Sequence, residues 1–162
     1  MIKPLLRKLI VAVNGSEQSL SAAMYSIMLA MQYKCELKAV YVVDTATLKQ
    51  LELSKFFVPD EVARYREKLH EDGQKYLDYV KKFAAEKKVE ISTKLKAGSV
   101  WREIVVSADE FGTDLIILGG KKADYLVERY KTSSTNSEII GSANCNVLIV
   151  KQGDVDGLFK LA

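Results

Sequence analysis

Three stretches of the chain are apolar without interruption: Leu9 to Val13 (LIVAV), the apolar part of Asp114 to Leu118 (DLIIL), and Asn146 to Val150 (NVLIV) after its first residue. Runs of this length suit strands covered on both faces, as in a parallel sheet. Glu36 to Val43 (ELKAVYVV) reads as a further strand, since valine and tyrosine favour extended backbone. Val89 to Lys96 (VEISTKLK) alternates apolar and polar, the mark of a strand with one wet face or an edge position. Between the strands the period changes. Leu20, Ala23, Met24, Ile27 and Ala30 form one stripe after Ser16, which can cap a helix with Glu17 in its first turn. A long helix is predicted from Pro59-Asp60 to about Lys87, with Val62, Tyr65, Leu69, Tyr76, Leu77, Val80 and Phe83 on one side. Gly73 inside it weakens it by about 1 kcal/mol relative to alanine. Val100, Ile104, Ala108 and Phe111 line a third helix that starts at Gly98-Ser99 and ends at Gly112. A fourth covers Thr135 to Ile140, while Asp44 to Val58 reads as irregular and residues 152–162 as a tail without pattern. Strands alternating with helices predict a doubly wound α/β fold in three layers, with five parallel strands, four helices and right-handed crossovers.

The 162 residues make one domain the default, taken here as residues 1–151 with the tail apart. With 48% hydrophobic and 28% charged residues, the chain can bury a core without disulfides or metal. A net charge of +3 with the signs mixed does not mark a nucleic-acid or anionic-membrane partner. Cys35 and Cys145 form no CxxC and have no histidine at ligand spacing, so they read as free thiols in a reducing compartment. The basic start with its short apolar run lacks the long apolar stretch of a signal peptide, and no segment is long enough to span a membrane. The expected location is the cytoplasm. His70 is the only histidine and reads as a solvated helix residue, which excludes a multi-histidine metal site. Trp101, Tyr65, Tyr76 and Tyr79 read as packing residues.

Ligands in such a sheet collect beyond the C-terminal strand ends, where strand order reverses. Three of those ends carry suitable residues: Asn14-Gly15-Ser16, Asp44-Thr45, and Gly119 onward. At the third, Gly119 and Gly120 permit close backbone approach, Lys121 and Lys122 add positive charge, and Thr132 to Thr135 supply hydroxyls before a helix. Thr135 and Glu138 match a capping box, and a helix start offers free N–H groups to phosphate. The same features also begin and end helices in α/β proteins that bind no phosphate.

Taken together, LIVAVNGSEQSLSAA, AVYVVD, KAGSVWREIVVSADEFGTDLIILGG and SSTNSEIIGSANCNVLIVK resemble the universal stress protein family over nearly the whole chain. The resemblance implies strand order 3-2-1-4-5. It also implies a crevice that binds ATP in many members, with candidate contacts at Ala12, Val13, Asn14, Val42, Gly119, Lys122, Ser134, Thr135 and Asn136. The family's G-x2-G-x9-G-[ST] pattern is incomplete here. Gly119 matches the first glycine, Lys122 stands at the second, Ser134 stands at the third after two extra residues, and Thr135 keeps the hydroxyl. Asn14 replaces the usual aspartate. Two readings follow: a regulatory module whose nucleotide site is degenerate, or an ATP-binding member in which lysine replaces glycine contacts. An enzyme, at most a slow ATPase, ranks last, because phosphoryl transfer needs a metal-binding carboxylate. The last strand would be an edge, yet Val147, Leu148, Ile149 and Val150 carry no protective charge. The resemblance implies that it pairs with the same strand of a second copy; the competing possibility is that residues 152–162 fold over it.

Overall fold

The structure is a computed structural model that describes residues 3–54, 58–121, 134–151 and 153–162. Five strands, β1 (Lys8–Val13), β2 (Glu36–Asp44), β3 (Ile91–Gly98), β4 (Leu115–Gly119) and β5 (Asn146–Val150), form one parallel sheet in the order β3-β2-β1-β4-β5. Alternation along the strands divides the core in two. Leu9, Val11 and Val13 of β1 face α1 (Glu17–Tyr33) and α3 (Pro59–Glu86), whereas Ile10 faces α4 (Val100–Phe111) and α5 (Ser134–Ser142). The three layers and the strand order follow the expectation.

The helix count does not. The described residues contain six helices rather than four, because two segments read as irregular are helical. Thr45–Leu53 forms α2, capped by Asp44, whose carboxylate accepts from the N–H of Thr47 at 3.0 Å and from its hydroxyl at 2.7 Å. Only Leu48 of α2 is buried, so there was no apolar stripe to read. Val155–Leu161 forms α6, capped by Asp154. Its Val155 and Phe159, one turn apart, enter the core beside α1, and Phe159 meets Phe83 edge-on at 5.7 Å. The tail therefore packs on the α1–α3 layer and not along β5. Seven residues with a glycine among them are too few to show a period.

α3 is unbroken through Gly73, and the packing there explains the glycine. A Cβ at this position would lie 2.8 Å from Leu95 Cδ1 and 2.9 Å from the Tyr41 ring, so a missing side chain lets α3 settle onto β2 and β3. Tyr76 packs on Tyr41 and Tyr79 meets Phe83 edge-on at 4.7 Å, whereas Tyr65 is largely exposed. Trp101 is half-buried against the α4 side of the core. His70 is half-buried rather than solvated, with Nδ1 2.9 Å from the Arg66 carbonyl oxygen.

The two sheet edges differ. β3 presents exposed Ser92 and Lys94, and its Lys96 pairs with Glu103 at 3.8 Å and Glu110 at 3.9 Å. β5 presents no charge between Asn146 and Lys151.

Asp114 fastens the start of β4 to the start of β1. Its carboxylate accepts from the backbone N–H groups of Arg7 and Lys8, both at 2.9 Å. The bonds from Lys8 and then Arg7 hold the carboxyl below its usual range. A carboxyl depressed in the folded state stabilises fully above the unfolded pKa, and that stability is lost as pH falls through the folded value. Asp114→Asn is therefore expected to flatten the acid limb of a stability–pH curve, measured as urea midpoints from about pH 7 to about pH 3. Superimposable acid limbs for the two proteins would rule this out.

Candidate functional site

The C-terminal ends of β1, β2, β4 and β5 open onto one crevice of about 810 Å³. Its floor is built where the strands end: Ala12 and Val13 of β1 with Asn14 beyond it, Val42 to Asp44 of β2, and Leu118 and Gly119 of β4 with Gly120 and Lys121 beyond it. Thr135, Asn136 and Ile139 of α5 close the β4 side, with Ile149 and Lys151 from β5. The crevice is graded along its length. The β2 side is walled by Val42, Val43, Leu48, Leu51 and Leu69, whereas the β4–β5 side carries Lys121 and Lys151. A ligand with a flat apolar end and an anionic end fits that gradient.

Most of the nucleotide contacts expected from sequence come together here: Ala12, Val13, Asn14, Val42, Gly119, Thr135 and Asn136 all line the crevice. Ser134 is exposed and does not line it, and Lys122 lies outside the described residues. α5 begins at Ser134, so Thr135 belongs to its first turn instead of preceding it as a capping box requires. Asn136 Nδ2 donates to the carbonyl of Gly119 at 3.0 Å, which ties the head of α5 to the end of β4. Thr132 and Ser133 are outside the described residues.

The glycines have an internal reason that the sequence did not show. A Cβ on Gly119 would lie 2.3 Å from the carbonyl oxygen of Gln18, so β4 and the first turn of α1 touch backbone to backbone. A Cβ on Gly120 would lie 2.4 Å from Ile149 Cγ2. Both positions are spoken for by packing before any ligand arrives.

The turn after β1 is fixed by its own hydrogen bonds. Asn14 Oδ1 accepts from the N–H of Ser16 at 3.0 Å, and the Asn14 N–H donates to Ser19 Oγ at 3.2 Å. Ser16 Oγ caps α1 by accepting from the Ser19 N–H at 3.1 Å. Buried Ser19 also meets the Tyr76 hydroxyl at 3.3 Å, so the crevice floor is braced from α3. Burial pushes the Tyr76 phenol up, and burial together with Asp72 does the same to Tyr41, so both hydroxyls stay protonated near neutrality. Sequence reading missed Ser19, the Leu48–Leu51–Leu69 wall and Lys151. Of these only Lys151 had a signal, as the first residue beyond the last strand.

Of the intended edge residues, Val147 and Ile149 pack into the α4–α5 side and Leu148 and Val150 into the α1 side. Val150 is buried and the other three are half-buried.

A model of the universal stress protein family matches residues 6–151. A universal stress protein of Methanocaldococcus jannaschii is 36% identical over 152 residues, covering 91% of this chain and 84% of that one. Among solved structures, one from the universal stress protein family of Burkholderia pseudomallei superposes with a TM-score of 0.72 at 22% identity, covering 93% of this chain and all of that one (100%). A universal stress protein described in complex with cAMP has a TM-score of 0.56 at 16% identity, covering 91% and 98% of the two chains. One from Archaeoglobus fulgidus, described in complex with dAMP, has a TM-score of 0.58 at 15% identity, covering 91% and 100%. At these identities the solved structures establish the shared fold.

Proposed function

We infer the role of a chain that belongs to the universal stress protein family: a dimeric regulatory module of the cytoplasm that holds an adenine nucleotide in its crevice and grips the terminal phosphates weakly. The observation that carries this reading is the gradient of the crevice, from the aliphatic wall at β2 to Lys121 and Lys151 beyond β4 and β5. Relatives of the same fold described with cAMP and dAMP support the ligand class. Weak hold on the outer phosphates follows from the incomplete glycine pattern. Lysine stands at the second glycine position, and Ser134 at the third is exposed and does not line the crevice.

Binding rather than catalysis fits the charge inventory. Asp44 is the one carboxylate among the described lining residues, and Thr47 takes up both its oxygens. Among the described residues no three histidine, cysteine or acidic side chains gather as a metal site. No described helix is long and apolar enough to cross a membrane. Cys35 and Cys145 are unpaired and half-buried, and burial pushes both thiols up, in keeping with a reducing compartment.

Calorimetry with AMP and ATP, with and without magnesium, tests the reading. ATP is expected to bind within about threefold of AMP, since the added phosphates meet little that holds them. Binding of ATP more than about tenfold tighter than AMP would remove the weak-grip reading. Absence of heat with either nucleotide at millimolar concentration would remove the ligand class.

A further inference from the structure

We propose that Tyr76 is a positioning residue for the ligand crevice: acting through Ser19, its hydroxyl holds the corner between β1 and α1 at a fixed distance from the apolar wall. This rests on the nucleotide reading above.

Ser19 is buried, and three partners meet at its hydroxyl. The Ser19 hydroxyl donates to the Ser16 carbonyl at 3.0 Å, accepts from the Asn14 N–H at 3.2 Å and lies 3.3 Å from the Tyr76 hydroxyl. A serine oxygen carries one hydrogen and two lone pairs. With the hydrogen on Ser16 and one lone pair on Asn14, the second lone pair falls to Tyr76, which therefore donates. The reverse direction would leave the tyrosine hydrogen without a partner among the described residues. Burial holds the Tyr76 phenol above its ordinary range, so that hydrogen is present at neutral pH. Every bonding capacity of Ser19 is then in use. Asn14 and Ser16, which line the crevice, are tied to one buried oxygen that α3 holds from the other side.

The aim of Tyr76 is set by how α3 sits on the sheet. Its ring lies 6.1 Å from that of Tyr41 and 6.4 Å from that of Tyr79. The Tyr41 ring in turn abuts Gly73, where the missing side chain seats α3 on β2 and β3. The same helix carries Tyr65 and Leu69 in the crevice wall. Leu69 and Tyr76 are seven residues apart, about 10 Å along the axis.

One rigid helix thus meets the crevice twice, as wall on the β2 side and as brace beneath the β1 corner. A ligand that reaches from wall to corner finds two surfaces whose separation α3 has already fixed, so less ordering remains for binding to impose. Without the phenol O–H, the first turn of α1 loses its hydrogen bond to α3, and that ordering falls to the ligand.

Affinity for AMP, measured by calorimetry on the wild type, Tyr76→Phe, Ser19→Ala, the double variant and Tyr79→Phe, decides the matter. Phenylalanine keeps the ring and its contacts, and a melting scan checks that Tyr76→Phe is folded. Tyr79→Phe makes the same change three residues further along α3, on a residue that is 47% exposed and whose hydroxyl bonds no described residue. Tyr76→Phe is expected to weaken AMP binding about fivefold, and Tyr79→Phe to leave it unchanged. Ser19→Ala is expected to weaken it at least as much as Tyr76→Phe does. The double variant is expected to bind no more weakly than Ser19→Ala, because both changes act through one oxygen. In the free protein, the backbone amide signal of Asn14 in a nitrogen–proton NMR spectrum should move in Tyr76→Phe and stay in Tyr79→Phe, which a general loss of stability would not produce. AMP held by Tyr76→Phe as tightly as by the wild type would overturn the proposal and leave the nucleotide reading standing. Losses that multiply in the double variant, an equal loss in Tyr79→Phe, or an unmoved Asn14 signal would overturn it as well. If the wild type binds no AMP, the nucleotide reading fails and this proposal fails with it. Should Ser19→Ala not fold, the comparison of Tyr76→Phe with Tyr79→Phe decides alone.

Discussion

Gly119→Ala is expected to destabilise the fold by about 2–3 kcal/mol, at the upper end of what one added methyl costs in a packed interior. The new Cβ would sit 2.3 Å from the oxygen and 2.5 Å from the carbon of the Gln18 carbonyl, and 2.9 Å from the Ser19 nitrogen. All three are backbone atoms in the capped first turn of α1, so no side chain can swing aside. Either α1 lifts or β4 shifts, and both movements disturb the Asn14–Ser16 corner. The melting temperature should fall by about 4–12 °C, and nucleotide affinity should fall with it. Gly141→Ala is the internal control: it lies in α5, a Cβ there meets nothing within 4 Å, and alanine is the better helix former. If the two variants melt alike, the backbone contact is not what Gly119 serves.

The second large effect concerns assembly. Gly120 donates its N–H to the carbonyl of Val150 at 3.0 Å, so Val150 turns its backbone groups toward β4. A residue's N–H and C=O leave a parallel strand on the same side, and successive residues alternate. Val147 and Ile149 therefore turn theirs to the open rim. If the dimer forms by pairing of β5 with β5, Val147→Pro removes an outward donor while sparing the bonds to β4, a position where a sheet tolerates proline. Light scattering is expected to show a dimeric mass for the wild type and half of it for Val147→Pro, with the circular dichroism spectrum unchanged. A monomeric wild type, or a variant of undiminished mass, would exclude this interface.

Much of the fold is legible in the sequence because the sheet is parallel. Strands covered on both faces had to be written as LIVAV or NVLIV, and Gly112 announced the end of α4, where it sits at φ 71°. α2 and α6 were invisible for a shared reason: each buries only one or two side chains, Leu48 in one and Val155 with Phe159 in the other. Two points make no period. The site divides the same way. Strand ends locate the crevice floor from sequence alone, since topology puts them there. The Leu48–Leu51–Leu69 wall exists only because α2 and α3 come together beside β2, a tertiary fact without a local signature. Gly73 and Gly119 show the limit from the other direction. Each was noticed, but the partner that forbids a side chain lies far away in the chain.

The difference between the two rims of the sheet sets how far assembly can proceed. With charged Lys94 and the Lys96 ion pairs along β3, that rim is a poor template for another strand, whereas β5 carries no charge between Asn146 and Lys151. Were both rims open, copies could add end on end into filaments. If β5 joins its own twin, that one union uses up the rim, and growth stops at two chains.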